Sequence, residues 1–224
     1  MTPEQKQDIR ERYEKLPTAV IADVFDELEI DVPALHVDIK RKTADVQRIA
    51  GWAFPIEGRL MDKKGADRLK LDVVDALPEG SVSVWGGTDA SGICLFGDLI
   101  AATMQKRGSH GAVVDGGFRD VEDISATGFP VFARWVTPVQ SVGRWRVTTH
   151  GEPIELPGAL GLPVPVAPDD FVLGDEDGVM VIPNSLVGQI LERAEEIVRQ
   201  EEEARKLSAE GMTAAEMLEK YGHV

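Results

Sequence analysis

The sequence is short of several things, and each shortage removes a class of explanation. Among 224 residues there is one cysteine, Cys94, so no intrachain disulfide can form and no zinc-cluster spacing exists. A reduced, cytoplasmic setting is therefore expected. Positive charge is scarce: 24 Lys and Arg against 39 Asp and Glu leave a formal charge of -15. Such a chain repels polyanions, which argues against nucleic acid as a direct partner. It also obliges any anionic substrate to find a local cationic pocket. No apolar run approaches the roughly 20 residues that cross a bilayer, and Met1 to Arg10 lacks the apolar core of a signal peptide, so no membrane partner is expected. There is no Gly-x-Ser-x-Gly elbow for a serine nucleophile. The glycine pairs Gly86-Gly87 and Gly116-Gly117 form neither a phosphate loop nor a dinucleotide fingerprint. The four histidines show no ligand spacing. Lys63 and Lys64 lie in a polar segment, a poor setting for the desolvated lysine that a Schiff base needs.

What remains is a chain with 43% apolar residues, enough for a real core. Residues 3–15 read as a polar helix. Thr18 caps a second helix whose stripe is Val20, Ile21, Val24, Phe25 and Leu28. After a loop at 31–47, Ile49 to Ile56 reads as a strand, Asp67 to Leu77 as an amphipathic helix and Ser81 to Trp85 as a buried strand. Leu99 to Arg107 is a helix with Asp98 at its N-cap and Gly108 just past its end. Ala112 to Val114 is a wholly apolar strand, as expected where both faces are covered. A short helix at Val121 to Thr127 and a strand at Pro130 to Arg134 follow. From Val139 to Ile182 the pattern becomes short strands broken by Pro and Gly, ending in a hairpin over Phe171 to Ile182. A long acidic helix opens at Ser185, and Thr213 caps a final helix to about Tyr221. Leu191, Ala194, Ile197 and Val198 give the acidic helix a face suited to a neighbouring subunit. The expected organisation is one α/β domain over 1–184 and a C-terminal helical extension over 185–224.

Two short segments carry chemistry. Gly97-Asp98-Leu99-Ile100 opens a helix, where backbone amides without partners and the helix dipole favour an anion such as a carboxylate. Taken alone, Asp98 reads first as a simple cap. Twenty residues separate it from Arg119-Asp120, and two more from Asp123. Arginine's planar fork matches a carboxylate, and aspartate offers hard oxygens to Mg²⁺ or Mn²⁺. Gly116-Gly117 permits a sharp turn of positive φ before them. The alternative is structural: Asp120 caps the next helix, Asp123 suits its dipole, and Arg119 pairs with either. Asp175 and Asp177 are expected to serve turn chemistry.

The spacing of Asp98, Arg119, Asp120 and Asp123 resembles the class II pyruvate aldolases typified by 4-hydroxy-4-methyl-2-oxoglutarate aldolase, which share a superfamily with the regulators of ribonuclease E activity (RraA). The resemblance runs from about Thr18 to Pro183 and is most specific in Gly111-Ala-Val-Val-Asp-Gly-Gly-Phe-Arg-Asp120. It implies a single swivelling-type α/β sandwich domain with a C-terminal helical arm, assembled as a homotrimer or a dimer of trimers with sites at subunit interfaces. It implies that Asp120 holds a divalent metal, Mg²⁺ or Mn²⁺, and that Arg119 contacts a 2-oxo acid. Gly97, Asp98, Leu99 and Ile100 would bind that acid's carboxylate, with Asp98 moving a proton and Asp123 orienting Arg119 or a water. The implied activity is retro-aldol cleavage of a 4-hydroxy-2-oxo acid to pyruvate, with oxaloacetate decarboxylation on the side. Alternatives are a non-catalytic regulator of ribonuclease E, or a related lyase on another keto or sugar acid. One departure stands out: the resemblance calls for Pro-Gly-Asp where this chain has Pro168-Asp169-Asp170. An acidic residue donated by a neighbouring subunit has three candidates, Glu192, Glu195 and Glu196.

Overall fold

A computed structural model describes residues 1–44, 48–87 and 89–209, together with 211, 213 and 216. The final helix expected to reach Tyr221 lies outside the described residues. The order of elements is α1 (Pro3–Tyr13), α2 (Thr18–Glu27), β1 (Lys40–Arg41), β2 (Ile49–Leu60), α3 (Arg68–Asp75), β3 (Ser81–Gly86), β4 (Cys94–Phe96), α4 (Asp98–Lys106), β5 (Gly111–Phe118), α5 (Val121–Ala126) and β6 (Val131–Val136). Then come β7 (Trp145–His150), β8 (Ile154–Pro157), β9 (Pro163–Val166), β10 (Phe171–Gly174), β11 (Val179–Ile182), a 3₁₀ turn at Asn184–Leu186 and α6 (Val187–Ala209).

Among the described residues, nine strands form one mixed sheet in the order β1-β6-β5-β3-β2-β10-β11, with β4 added beside β5 and β7 beside β2. The centre is parallel: β2 with β3, β3 with β5, and β5 with both β4 and β6. The β10–β11 hairpin and β7 run antiparallel to their neighbours. β8 and β9 make a separate two-stranded hairpin. This is the mixed α/β fold with a C-terminal helix that the resemblance implied.

Alternation along β2 distributes side chains among three apolar clusters. Ile56 joins a core with α3, α4 and α5 residues such as Val73, Met104 and Ile124. Ala50 and Trp52 join Tyr13, Ile21, Phe25 and Phe171 under α1, α2 and α6. Ile49 and Ala53 meet Val113, Ile154 and Val166 on the side covered by the β8–β9 hairpin. The apolar face of α6 therefore packs within its own chain: Ile190, Leu191, Ala194 and Ile197 are buried in the second cluster. The expectation that this face meets a neighbouring subunit is corrected, because α1 and α2 already cover it.

Other local expectations also change. Thr18 does not cap α2. Pro17 stands at the cap, and Asp175 reaches across from the β10–β11 turn to accept from the Thr18 amide (2.9 Å) and hydroxyl (2.7 Å). The same carboxylate accepts from the Asp177 amide at 3.0 Å, the turn role foreseen for it. In the departing Pro168-Asp169-Asp170 turn, Asp169 takes φ of 67°, a conformation a glycine would adopt freely. Asp170 accepts from the amides of Ala167 and Asn184 and so holds the turn closed.

Candidate active site

The two chemical segments meet because β4 and β5 are parallel neighbours that end together. Cys94 pairs with Gly117 and Phe96 with Phe118, so the chain leaves β4 at Gly97 beside the point where it leaves β5 at Arg119. The Arg119 amide donates to the Phe96 carbonyl at 3.2 Å and locks the two exits together. The C-terminal edge of parallel strands is where α/β sheets commonly bind ligands.

The turn itself differs from expectation. Gly116 and Gly117 are not a positive-φ turn; both lie inside β5. Gly117 is needed for space, since a β-carbon there would strike the Trp135 indole and stand 2.9 Å from the Ile93 carbonyl oxygen. The left-handed residue is Asp120, at φ 61° and ψ 43°. It occupies the N-cap of α5 without capping it through its side chain. Its Oδ2 turns instead to the start of α4 and accepts from the Asp98 amide at 3.2 Å. A non-glycine residue in this conformation costs about 1 kcal/mol, which the surroundings must offset. Asp98 is likewise not a cap: Gly97 is the N-cap and Asp98 the first residue of α4.

Of the residues singled out from sequence, Gly97, Asp98, Arg119 and Asp120 come together. Arg119 Nε lies 3.3 Å from Asp120 Oδ2, and both side chains are partly open to solvent (41% and 31%). Helix geometry leaves the Leu99 and Ile100 amides without an intrahelical acceptor, while the Leu99 side chain projects into solvent at 77% exposure. Asp98 is half-buried and makes no side-chain hydrogen bond or ion pair among the described residues. Asp123 stays apart: it is exposed on α5, and the ion pair of Arg119 is with Asp120. Its expected role of orienting Arg119 is therefore not supported by contact. On α6, Glu195 is gripped by Arg12 through two hydrogen bonds (2.8 and 2.7 Å) and Glu196 pairs with Arg193, while Glu192 is exposed.

Gly97 and Arg119 line a cavity of about 220 Å³ with Ile100, Cys94, Ser141 and Lys70. Lys70 was not singled out from sequence. It is 7% exposed, and its Nζ donates to the Leu95 carbonyl (2.7 Å) and the Ser141 hydroxyl (2.8 Å) and lies 5.2 Å from the centre of the Trp145 ring. Burial pushes its pKa down to about 8, an effect partly offset by Asp67. The signal was available: Lys70 shares a helical face with Val73, Val74 and Leu77, all buried. Burial likewise raises the pKa of the Cys94 thiol, against the pull of Arg119 and Lys70. The cavity is thus a small recess with two cationic side chains, in a chain of opposite overall sign.

Residues 18–181 match the family described as RraA-like, Aldolase/RraA. The chain belongs to this family. A relative from Halalkalibacterium halodurans, named "Putative 4-hydroxy-4-methyl-2-oxoglutarate aldolase", is 31% identical over 221 residues, which cover 96% of each chain. Protein DlpA of Legionella pneumophila is 28% identical over 205 residues. These cover 91% of this chain, which spans 32% of DlpA's length. The crystal structure of Streptomyces coelicolor RraAS2, described as an unusual member of the RNase ES inhibitor RraA protein family, superposes with a TM-score of 0.73 at 22% identity. It covers 88% of this chain and 96% of that one, a likeness of fold. Among the described residues no helix is long and apolar enough to cross a membrane.

Proposed function

We propose that this RraA-like chain is a divalent-metal-dependent lyase that cleaves a 4-hydroxy-2-oxo acid to pyruvate and also decarboxylates oxaloacetate. The observation that carries the reading is the meeting of Arg119 and Asp120 with the start of α4, beside a small cationic recess. The name of the Halalkalibacterium halodurans relative supports the same chemistry.

The donor set fits a hard cation held by few protein oxygens. No group of three His, Cys, Asp or Glu is placed to hold a metal among the described residues. Asp120 is accessible, carries a free Oδ1 face and has Asp98 as its neighbour. Mg²⁺ and Mn²⁺ tolerate this, because they keep several waters and share substrate oxygens. Bound there, such an ion would withdraw electron density from the oxygens of a 2-oxo acid.

The protein's own part follows from position. The Arg119 fork and the Leu99 and Ile100 amides fix the acid's carboxylate. Asp98 takes the proton from the 4-hydroxyl as the C3–C4 bond breaks. Its electron pair moves onto C3 and the 2-oxo oxygen, giving the enolate of pyruvate, while C4 becomes the carbonyl of the second product. The developing charge faces Arg119. Asp98 then returns its proton to C3. Oxaloacetate loses carbon dioxide to give the same enolate, so the same groups serve it. Assembly as a homotrimer or a dimer of trimers belongs to this reading and is checked by light scattering.

The test is pyruvate release from oxaloacetate and from 4-hydroxy-4-methyl-2-oxoglutarate, with Mg²⁺, with Mn²⁺ and with EDTA. Metal-dependent turnover that disappears in Asp120→Ala is expected. Near-normal decarboxylation by Asp120→Ala would sink the mechanism. A second reading, a non-catalytic ribonuclease regulator, is favoured by the fold shared with RraAS2. Absence of turnover together with inhibition of a ribonuclease would select it.

A further inference from the structure

Lys70 is the one buried lysine among the described residues, at 7% exposure on the apolar face of α3. An exposed cation without an acid beside it is commonplace on this chain. A lysine shut away from water without one is not, because burial penalises the charged amine. No carboxylate lies within ion-pair distance of its Nζ among the described residues. The nearby acid, Asp67, turns its carboxylate to the amides of Val147 (3.0 Å) and of Lys70 itself (3.3 Å). The other titratable or charged groups around the amine are Cys94 on β4, Arg146 on β7 and Arg119 at the exit of β5. Burial first, and Arg146 after it, favour the neutral amine and bring its pKa to about 8.

This is the setting in which a lysine captures a carbonyl. An amine becomes a nucleophile once desolvation or a neighbouring cation lets it shed its proton near neutrality. The Lys70 Nζ donates to the Leu95 carbonyl at 2.7 Å and to the Ser141 hydroxyl at 2.8 Å. With both hydrogens of the neutral amine so committed, its lone pair is kept for a third direction. Lys70, Leu95 and Ser141 all line the cavity of about 220 Å³ that Gly97, Ile100 and Arg119 also line. A ketone whose acid group lies against Arg119 is therefore enclosed with this amine. Lys63 and Lys64, by contrast, are exposed.

We infer that Lys70 condenses with the keto carbon of a 2-oxo acid held by Arg119, forming an imine without any metal. The inference rests on the reading of this recess as a 2-oxo acid site, and not on a metal at Asp120. The Nζ lone pair attacks C2, and the carbonyl π pair moves onto oxygen. Ser141, already bonded to the nitrogen, passes one N–H proton to that oxygen. The carbinolamine then loses its hydroxyl as water, together with the second N–H proton, as the C=N bond forms. The net exchange is one water for one covalently held 2-oxo acid. Once protonated, the imine draws electrons from C3, so the recess has a second way to loosen bonds at that carbon.

Reductive trapping tests this on the whole chain in EDTA. Pyruvate and sodium cyanoborohydride are added at a series of pH values spanning the Lys70 pKa of about 8, and the labelled lysines are located by peptide mass mapping. One reduced pyruvate per chain on Lys70 is expected, with labelling that levels off above about pH 8. Labelling of Lys63 and Lys64 should keep rising towards the ordinary lysine pKa of about 10.4. Methyl pyruvate is the same ketone without the charged carboxylate. It should lower the ratio of Lys70 to Lys63 labelling by at least about tenfold, since Arg119 then has no anion to hold. An unlabelled Lys70 beside reacting Lys63 and Lys64 overturns the inference. An undiminished ratio with the ester overturns it too, because the amine would then be reached without Arg119. Metal-dependent pyruvate release by a chain whose Lys70 is never trapped leaves the lyase reading standing and this inference fallen. Trapping at Lys70 in a chain without metal-dependent turnover does the reverse. The labelled position is read on the wild type, so the result does not depend on a variant that folds.

Discussion

Gly97 and Asp120 touch across the exits of two strands, and only a glycine at the first position leaves room for the second. A β-carbon on Gly97 would collide with Asp120 Oδ2 and stand 3.1 Å from both Cγ and Nε of Arg119. Gly97 itself has φ of -136°, extended backbone that any residue adopts, so the demand is for space and not for conformation. Gly97→Ala is therefore expected to displace Asp120 and Arg119 and to cut kcat/KM by about a hundredfold, in line with the cost of misplacing catalytic groups by about 1 Å. The melting temperature should move by only a few degrees, because both displaced side chains are part-exposed. Steady-state pyruvate release and a thermal melt check the two halves together.

Asp120 shows function and stability pulling apart. Its left-handed backbone is strained for any residue with a β-carbon, and glycine relieves that strain. Asp120→Gly and Asp120→Ala should both be inactive and lose the metal response. The glycine variant should nonetheless be the more stable of the two by about 1 kcal/mol, read from urea unfolding. Equal stabilities would mean that the backbone at 120 relaxes once the carboxylate is gone.

Arg119 is expected to act through its shape as well as its charge. Lysine keeps the charge but replaces a planar fork by a single flexible point, so Arg119→Lys should lower kcat/KM by roughly a hundredfold or more. If the fork fixes the carboxylate, the loss should appear with oxaloacetate and with the hydroxy acid alike. A variant with wild-type kinetics on both would remove Arg119 from the site.

Much of this architecture was legible in residue pattern. Apolar runs bounded by turns marked β2, β3 and the β10–β11 hairpin at or near their starts. The periodic stripe marked α3, with Asp67 at its cap. β1 and β4 were not legible, because two or three residues carry no period. β4 matters most, since it sets Gly97 beside Arg119. The glycine pair in β5 suggested a turn three residues too early, because a glycine needed for clearance and one needed for positive φ look alike in sequence. Lys70 was hidden by a different ambiguity. A lysine on an apolar stripe usually snorkels to solvent, and only the packed fold shows that this one ends on Leu95 and Ser141.

Asp115, in the middle of β5, is fully buried and paired with Arg134. Arg134 also reaches His36 at 3.3 Å. Removing the carboxylate leaves a guanidinium that is 13% exposed in its side chain with a longer ion pair to the exposed Asp38 (3.6 Å). Asp115→Ala is therefore expected to cost about 3 kcal/mol in chemical denaturation. Joint replacement with Arg134→Met should recover part of that loss. Full additivity of the two single losses would show that the pair contributes nothing as a pair.

Lys70 gives the stability a pH dependence whose sign is fixed by the direction of its shift. Its folded pKa is lowered to about 8 from 10.5, so below about pH 8 it is protonated in both states and burial of the charge opposes folding. Between about pH 8 and 10.5 the folded state sheds the proton while the unfolded state retains it. The unfolded state then binds more protons, and stability rises with pH across that window. The full span corresponds to about 3 kcal/mol. Lys70→Met removes the titrating group and keeps an unbranched side chain among Trp145 and Leu95. Relative to this variant the wild type should gain stability from pH 8 to 10.5, measured as the difference in unfolding free energy so that shared titrations cancel. A flat difference would show that Lys70 stays charged throughout, held by the Leu95 carbonyl and Ser141 more tightly than burial opposes. In that event the cavity would keep both of its cations in alkaline solution as well as at neutrality.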